Sequence, residues 1–234
     1  MAHRERRVGR ALATLDAHVH IAADRRPAEL RAAGFALAMT LSAAEAELTL
    51  ARHDPKVVWG VGCHPRRARA IAAFDAERFD ELASSTPVIG EIGLDATSRV
   101  PHDLQLRPFR AALAVARDRG RVVSIHPHKA SQAVLDELRR RPQPGAILHW
   151  WTGNADETRD AVRLGCAFSV HRAVARRLVW LGVPRANLLV ESDLGYADPP
   201  REVPVAIART ERLLADRLGI TAGEVREAGW STLS

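Results

Sequence analysis

The sequence predicts an α/β protein folded as a compact, single-domain (β/α)8 barrel of the TIM type, and three observations carry that reading. Short apolar runs alternate with amphipathic stretches along the whole chain, the pattern left by parallel strands joined through crossover helices. Eight such runs occur in 234 residues, about 29 residues per strand and helix, near the lower limit for this barrel. Residues with metal-ligand chemistry recur at the ends of the runs, where barrel enzymes place their active sites.

The first run, 13–18, leads through Asp16-Ala17-His18-Val19-His20. Side chains alternate across a strand, so His18 and His20 face the same way, roughly 7 Å apart along the backbone. Two neutral imidazoles so placed can chelate one divalent ion. The second run is 35–42 (FALAMTLS), and the third, 57–62 (VVWGVG), enters Cys63-His64-Pro65. The fourth, 87–92 (PVIGEI), carries Glu91, with Asp95 shortly after. Residues 103–119 then read as a helix, with Leu104, Leu106, Phe109, Leu113 and Ala116 at near-helical spacing and Gly120 as the stop. Pro108 must lie in the first turn of that helix or kink it. The fifth run, 122–126 (VVSIH), ends at His126, and the sixth, 146–150 (AILHW), reaches His149 and the Trp150-Trp151 pair. The seventh, 166–170 (CAFSV), precedes His171-Arg172, and the eighth, 187–192 (NLLVES), delivers Glu191-Ser192-Asp193. The stretch 203–218 reads as the last crossover helix and 221–229 as a terminal cap, after a proline-dense loop from Asp198 to Pro204. Residues 1–12 read as a basic leader ahead of one barrel domain over 13–234.

Net charge is +6 and the pI about 10.4, which suits a polyanionic substrate or partner. Only Lys56 and Lys129 are lysines, so arginine supplies nearly all the basic charge and part of the bias is compositional. Arg66-Arg67, Arg139-Arg140-Arg141 and Arg176-Arg177 read as solvated helix ends. Cys63 and Cys166 lie far apart without paired spacing, which argues against a disulfide framework or a cysteine zinc site and for a reducing cytoplasm. No apolar run approaches the ~20 residues of a membrane span, and the first fifteen residues lack a signal-peptide core.

A single histidine after an apolar run is usually a hydrogen-bonded residue at a sheet edge. Here His18, His20, Glu91, His126, His149 and Asp193 fall on five strand ends. That set fits a pair of divalent ions bridged by a carboxylate and a water.

The series DAHVH, GCHP, GEIGLD, Gln105 with Phe109, SIHPHKA, HWWTG and LLVESD, over about residues 14 to 196, resembles in order and spacing the signature of TatD-type metal-dependent hydrolases, the TatD DNase family of the amidohydrolase superfamily. The resemblance implies a metal-dependent deoxyribonuclease or phosphodiesterase working in a (β/α)8 barrel through a water that bridges two metals. It implies that His18 and His20 bind one ion with Asp193, that Glu91 bridges both, and that His126 and His149 hold the second. His64 would then lie beside the metals near the scissile phosphate. Asp193 is the candidate general base, and Glu191 and Asp95 are expected to orient ligand histidines. The ligand chemistry suits zinc, manganese, nickel or magnesium.

The chain departs from the family pattern around the substrate. His128 and then Lys129 follow the fifth strand where an arginine is usual, and Arg201 is the one candidate replacement in a shortened last loop. Trp150 and Trp151 stand where cysteine and phenylalanine are usual, so Trp150 is a candidate for stacking on a base. The expected substrate is single-stranded or end-frayed nucleic acid, because a barrel mouth is concave. One alternative is a nuclease-like subunit of a bacterial anti-phage defence complex, with a protein partner presenting the substrate. Another is an amidohydrolase acting on an amide or ester, against which stands Glu91 where such enzymes often carry a carbamylated lysine.

Overall fold

A computed structural model of the protein describes residues 12–233. The leader expected over 1–12 therefore lies outside the described residues apart from Leu12. Eight strands follow in order: β1 (Leu15–Val19), β2 (Phe35–Ala38), β3 (Val57–Trp59), β4 (Val88–Asp95), β5 (Val122–His128), β6 (Ala146–His149), β7 (Ala167–Val170) and β8 (Leu188–Val190). Each pairs in parallel with the next, β1 to β3 in one run and β4 to β8 in the other. A bridge between Val61 and Ile89 joins the two runs. The ring closes where Asp193 N donates to His18 O (3.1 Å) and His20 N to Leu194 O (2.9 Å). Closure leaves no sheet edge to be templated by another chain.

The helices are α1 (Pro27–Leu30), α2 (Ala43–Leu50), α3 (Ala68–Ala72), α4 (Ala76–Ala83), α5 (His102–Arg119), α6 (Ser131–Arg140), α7 (Ala155–Arg163), α8 (Ala175–Trp180), α9 (Val203–Leu218) and α10 (Ala222–Thr232). Apolar side chains divide between two layers because strand residues alternate. Ile89, Ile125 and Leu148 turn outward into one core layer with Phe79 of α4, Phe109 of α5 and Leu138 of α6. Ile147, Ala17, Ala167 and Leu189 turn the other way, as do Leu37, Met39 and Val88. Leu233, just past α10, packs against both inner groups. The C-terminal helix thus seals the barrel near the strand starts, opposite the histidines.

Two details of α5 differ from the sequence reading. Pro108 sits well inside the helix and is buried, not in the first turn. Its ring removes the bond to the carbonyl of Leu104, and Leu104 is 51% exposed, so water can satisfy that oxygen. Leu104 is consequently off the buried face, which is built from Gln105, Phe109, Ala112, Leu113 and Ala116 with Pro108. Gly120 ends the helix in the left-handed conformation, φ 61°. The terminal cap runs longer than 221–229, as a helix to Thr232 opened by Thr221, whose hydroxyl accepts from Glu224 N. Among the described residues no helix is long and apolar enough to cross a membrane.

Candidate metal centre

The carboxyl ends of β1, β4, β5, β6 and β8 bring His18, His20, Glu91, His126, His149 and Asp193 to one mouth. His18 and His20 present their Nε2 atoms 3.3 Å apart. His20 Nδ1 donates to Met39 O (3.1 Å) and His149 Nδ1 to Glu191 Oε2 (2.8 Å). Each Nε2 is thereby left with a lone pair aimed inward. His18 lies fully buried, its Nδ1 2.8 Å from Ser124 Oγ and its ring stacked on His149 at 3.7 Å. His126 has a carboxylate at either nitrogen, Glu91 Oε1 at 2.6 Å from Nδ1 and Asp95 Oδ2 at 3.1 Å from Nε2.

Glu91 stands at the centre with its two oxygens turned to different partners. Oε2 lies 3.2 Å from His20, 3.5 Å from His64 and 3.6 Å from His18. Oε1 faces His126 and, at 3.9 Å, His149 Nε2. Asp193 Oδ1 is 3.8 Å from His18 and 3.7 Å from His20. Ligand atoms of His18, His149 and Asp193, of His18, His20 and Glu91, and of His64, Glu91 and His126 lie within 4.8 Å of one another in each set.

Local backbone irregularities aim these groups. Ile89 and Ile92 are three residues apart, yet both pack in the outer layer. The β4 to β5 register shifts between them, and that extra residue leaves Glu91 facing the mouth. At Gly93 a Cβ would stand 2.2 Å from His126 O, so only glycine lets β4 lie this close to β5. Lys129 (φ 50°), Trp150 (42°) and Asp193 (47°) are the described non-glycine residues with positive φ. They follow β5, β6 and β8 at the mouth, a conformation costing on the order of 1–3 kcal/mol each. Asp16 locks β1 to β8: its carboxylate accepts from His18 N (3.1 Å), Ser192 N (3.0 Å) and Ser192 Oγ.

The electrostatics suit a cation. Burial lowers His18, and pushes His149 and His64 down to about 4, which keeps these imidazoles neutral. Burial opposes ionisation of Glu91, but His64, His126 and His18 around it hold the carboxyl well below its ordinary range. Burial also works against the His20 imidazolium, and Glu91 and Asp193 overcome it, raising His20 to about 9. Burial raises Asp193. Burial likewise opposes the His126 imidazolium, and Glu91 and Asp95 overcome it. His18 and His149 thus offer neutral nitrogens, while His20 and His126 hold protons that a bound cation would displace. Imidazoles around a fixed carboxylate are the donor set of a divalent transition-metal site, and the residues present fit one.

A cavity of about 530 Å³ opens over the cluster, with Arg66, Arg67, Leu41 and Tyr196 on its walls. A second, of about 300 Å³, shares His126, His149 and Asp193 and adds His128, Trp150 and Thr152. Arg66 and Arg67 are exposed at the start of α3, where Arg67 is the N-cap, as a solvated helix end would be. They also wall the mouth, Arg66 reaching to 3.6 Å from Asp95. Sequence reasoning missed these two arginines, Ser124 and Asp16. Asp16 stood in the same motif as His18, but the β1 register shifts between Asp16 and Val19, which breaks the alternation that would have placed it. Arg201 is 74% exposed beside Glu202 and lines neither cavity. Trp151 is fully buried, donating to Thr158 Oγ1 at 2.9 Å, whereas Trp150 is half-buried and stacks on His171 at 3.9 Å.

Fold and site together define a parallel barrel with a histidine and carboxylate centre at its mouth. The chain belongs to the TatD related DNase family, whose model matches residues 15–233. It is 32% identical over 166 residues to the 3'-5' ssDNA/RNA exonuclease TatD of Musicola paradisiaca, covering 65% of this chain and 62% of that protein. It is 28% identical over 150 residues to the uncharacterized metal-dependent hydrolase YabD of Bacillus subtilis, 59% of each. The aligned part thus spans less than two thirds of either relative. The fold is that of the TatD homologue YJJV of Escherichia coli, TM-score 0.78 at 20% identity over 93% of this chain and 95% of that one. It is also that of the phosphotriesterase homology protein of Escherichia coli, TM-score 0.65 at 15% identity over 94% and 98%.

Proposed function

We propose that this chain is a divalent-metal-dependent phosphodiesterase that hydrolyses single-stranded or frayed nucleic acid, using His18, His20, Glu91, His126, His149 and Asp193 to hold two ions. The observation that carries the reading is Glu91, whose two oxygens each face a different group of imidazoles, the arrangement a bridging carboxylate needs. Bound divalent ions supply Lewis acidity toward the phosphate and a lowered pKa for water. Zinc, manganese, nickel and magnesium all suit these donors.

The side chains then have separable tasks. Hydrolysis forms one bond from water oxygen to phosphorus and breaks one from phosphorus to the ester oxygen. Asp193, held beside His18 and His20, accepts the water proton. His64 has a different role from the ligands. Arg66 N donates to its Nδ1 at 3.0 Å, which fixes the proton on Nε2 and makes His64 a hydrogen-bond donor toward a phosphate oxygen. Glu191 and Asp95 fix the ring orientations of His149 and His126. His128, exposed with its ring 6.0 Å from that of His126, and Trp150 line the second cavity as substrate contacts. Arg66 and Arg67 supply the cationic wall on the other side, a task for which exposed Arg201 is poorly placed. Glu91 occupies β4, where such enzymes often carry a carbamylated lysine, and Lys56 and Lys129 lie before β3 and after β5, which weighs against carbamylated-lysine amide chemistry. The chain's two thiols are free and buried, in keeping with work in the cytoplasm.

The test is turnover of end-labelled single-stranded DNA and RNA with added Mn²⁺, with and without chelator. Cleavage that stops with chelator, and falls about 10²- to 10⁴-fold in Asp193→Asn, is expected. Turnover of an amide or carboxylic ester with no oligonucleotide cleavage would overturn the assignment.

A further inference from the structure

Residues 161–190 contain five arginines and no aspartate, glutamate or lysine, in a chain that elsewhere mixes both signs. This acid-free stretch includes β7, its turn and α8. It leads directly away from the mouth. Trp150 lines the cavity beside His149 and Asp193, and its ring rests on His171. Arg177 Nη2 donates to Gly153 O at 2.6 Å, fastening α8 to the loop after β6. On α8, Arg176 and Trp180 are four residues apart and so share one face, about 6 Å along the axis, with Arg172 in the turn before them.

The side chains of that face have no hydrogen-bond or ion-pair partner among the described residues. Trp180 is 80% exposed, the most exposed large apolar side chain among the described residues, ahead of Leu48 at 67%. Arg172 and Arg176 are exposed and enter no ion pair among the described residues, unlike Arg163, which pairs with Asp160. An exposed indole sharing a helix face with an unpaired guanidinium, in a stretch whose own sequence lacks acids, is complementary to a flexible polyanion with aromatic bases.

We infer that Arg172, Arg176 and Trp180 form a second binding site for single-stranded nucleic acid, continuous with the mouth through Trp150 and His171, which holds the strand some nucleotides away from the reacting phosphate. The inference rests on the phosphodiesterase reading for what happens at the mouth, but the track binds whether or not cleavage follows. Trp180 stacks on one base, and the arginines contact the flanking phosphates. The track makes affinity depend on strand length, because a short oligonucleotide fills the mouth without reaching α8.

The experiment compares wild type with Arg176→Ala, Trp180→Ala and the double variant, on oligothymidylates of about four and about sixteen nucleotides, a range that brackets typical single-strand site sizes. Binding is measured in chelator by fluorescence anisotropy, and KM with Mn²⁺. The double variant is expected to weaken binding of the long strand, and raise its KM, at least about tenfold. The salt slope should fall by about 0.7 for the lost arginine contact. The short strand should be unaffected. Equal behaviour of wild type and double variant on the long strand, or equal losses on both lengths, overturns the track. So does a change in sedimentation of the variants without any change in oligonucleotide binding, which would make Trp180 a protein interface. Length-dependent binding lost in the variants, but with no cleavage by wild type, would keep the track and reject the phosphodiesterase reading instead.

Discussion

Glu91 does the most with the fewest atoms. It is buried, ionised by the imidazoles around it, and within reach of both groups of nitrogens. Glu91→Ala is therefore expected to remove a ligand from both ions at once. Metal content should fall from two per chain to below one, and oligonucleotide cleavage should vanish. Folding should survive, because neither apolar layer includes Glu91, and circular dichroism would show it. Retention of two ions by the variant would refute the bridge. At this scale the sequence was legible wherever chemistry coincided with a strand end. His18, His20, His126 and His149 stand out against apolar neighbours, and the order of motifs supplied their company. What it hid were groups that matter through hydrogen bonds alone. Ser124 behind His18 is an ordinary serine in an apolar run. The backbone bond from Arg66 N that gives His64 its tautomer has no sequence signature.

At the scale of elements, apolar runs located every strand, because each is short and apolar and lies between polar or turn-forming stretches, as with Val122-Val123 after Gly120 and Arg121. Their ends were less legible. β4 continues to Asp95 instead of stopping at 92, since the register shift that admits Glu91 breaks the alternation that sequence reading relies on. The pairing of α5 with α6 yields a further prediction. Glu137 of α6 accepts two bonds from Arg110 of α5 (2.7 and 2.8 Å) and one from Arg140 (2.6 Å). The Arg110 guanidinium, ahead of the opposing effect of burial, holds the Glu137 carboxyl below its ordinary value of 4.5. A depressed carboxyl contributes stability that is present above 4.5 and lost as pH falls through its lower folded value. Wild type should thus lose more stability than Glu137→Gln on going from pH 7 to pH 3. The difference should be about 1 kcal/mol or less, because Arg110 is half exposed to screening solvent. Urea denaturation at the two pH values reads it, and equal losses would show that the pair contributes nothing.

On the scale of the whole molecule, the barrel separates stability from chemistry. Apolar layers and the C-terminal seal at Leu233 lie around and below the strands. Positive-φ backbone, buried carboxylates and crowded imidazoles are gathered at the other end, where they cost stability that bound cations would restore. The fold class and this polarity could be read from runs and motifs, whereas the contacts with substrate could not. Arg66 and Arg67 belong to the mouth and Arg201 does not, because loop paths, not residue types, decide which arginine reaches the cavity.

The central claim is that one bridged pair of divalent ions at this mouth drives phosphodiester hydrolysis. The most direct measurement strips the protein with chelator and titrates Mn²⁺ back while following cleavage of a labelled single strand. Activity should be absent at the start, rise with bound metal, and level off at two equivalents per chain. Full cleavage by the stripped protein, or a plateau without cleavage at two bound equivalents, would contradict it.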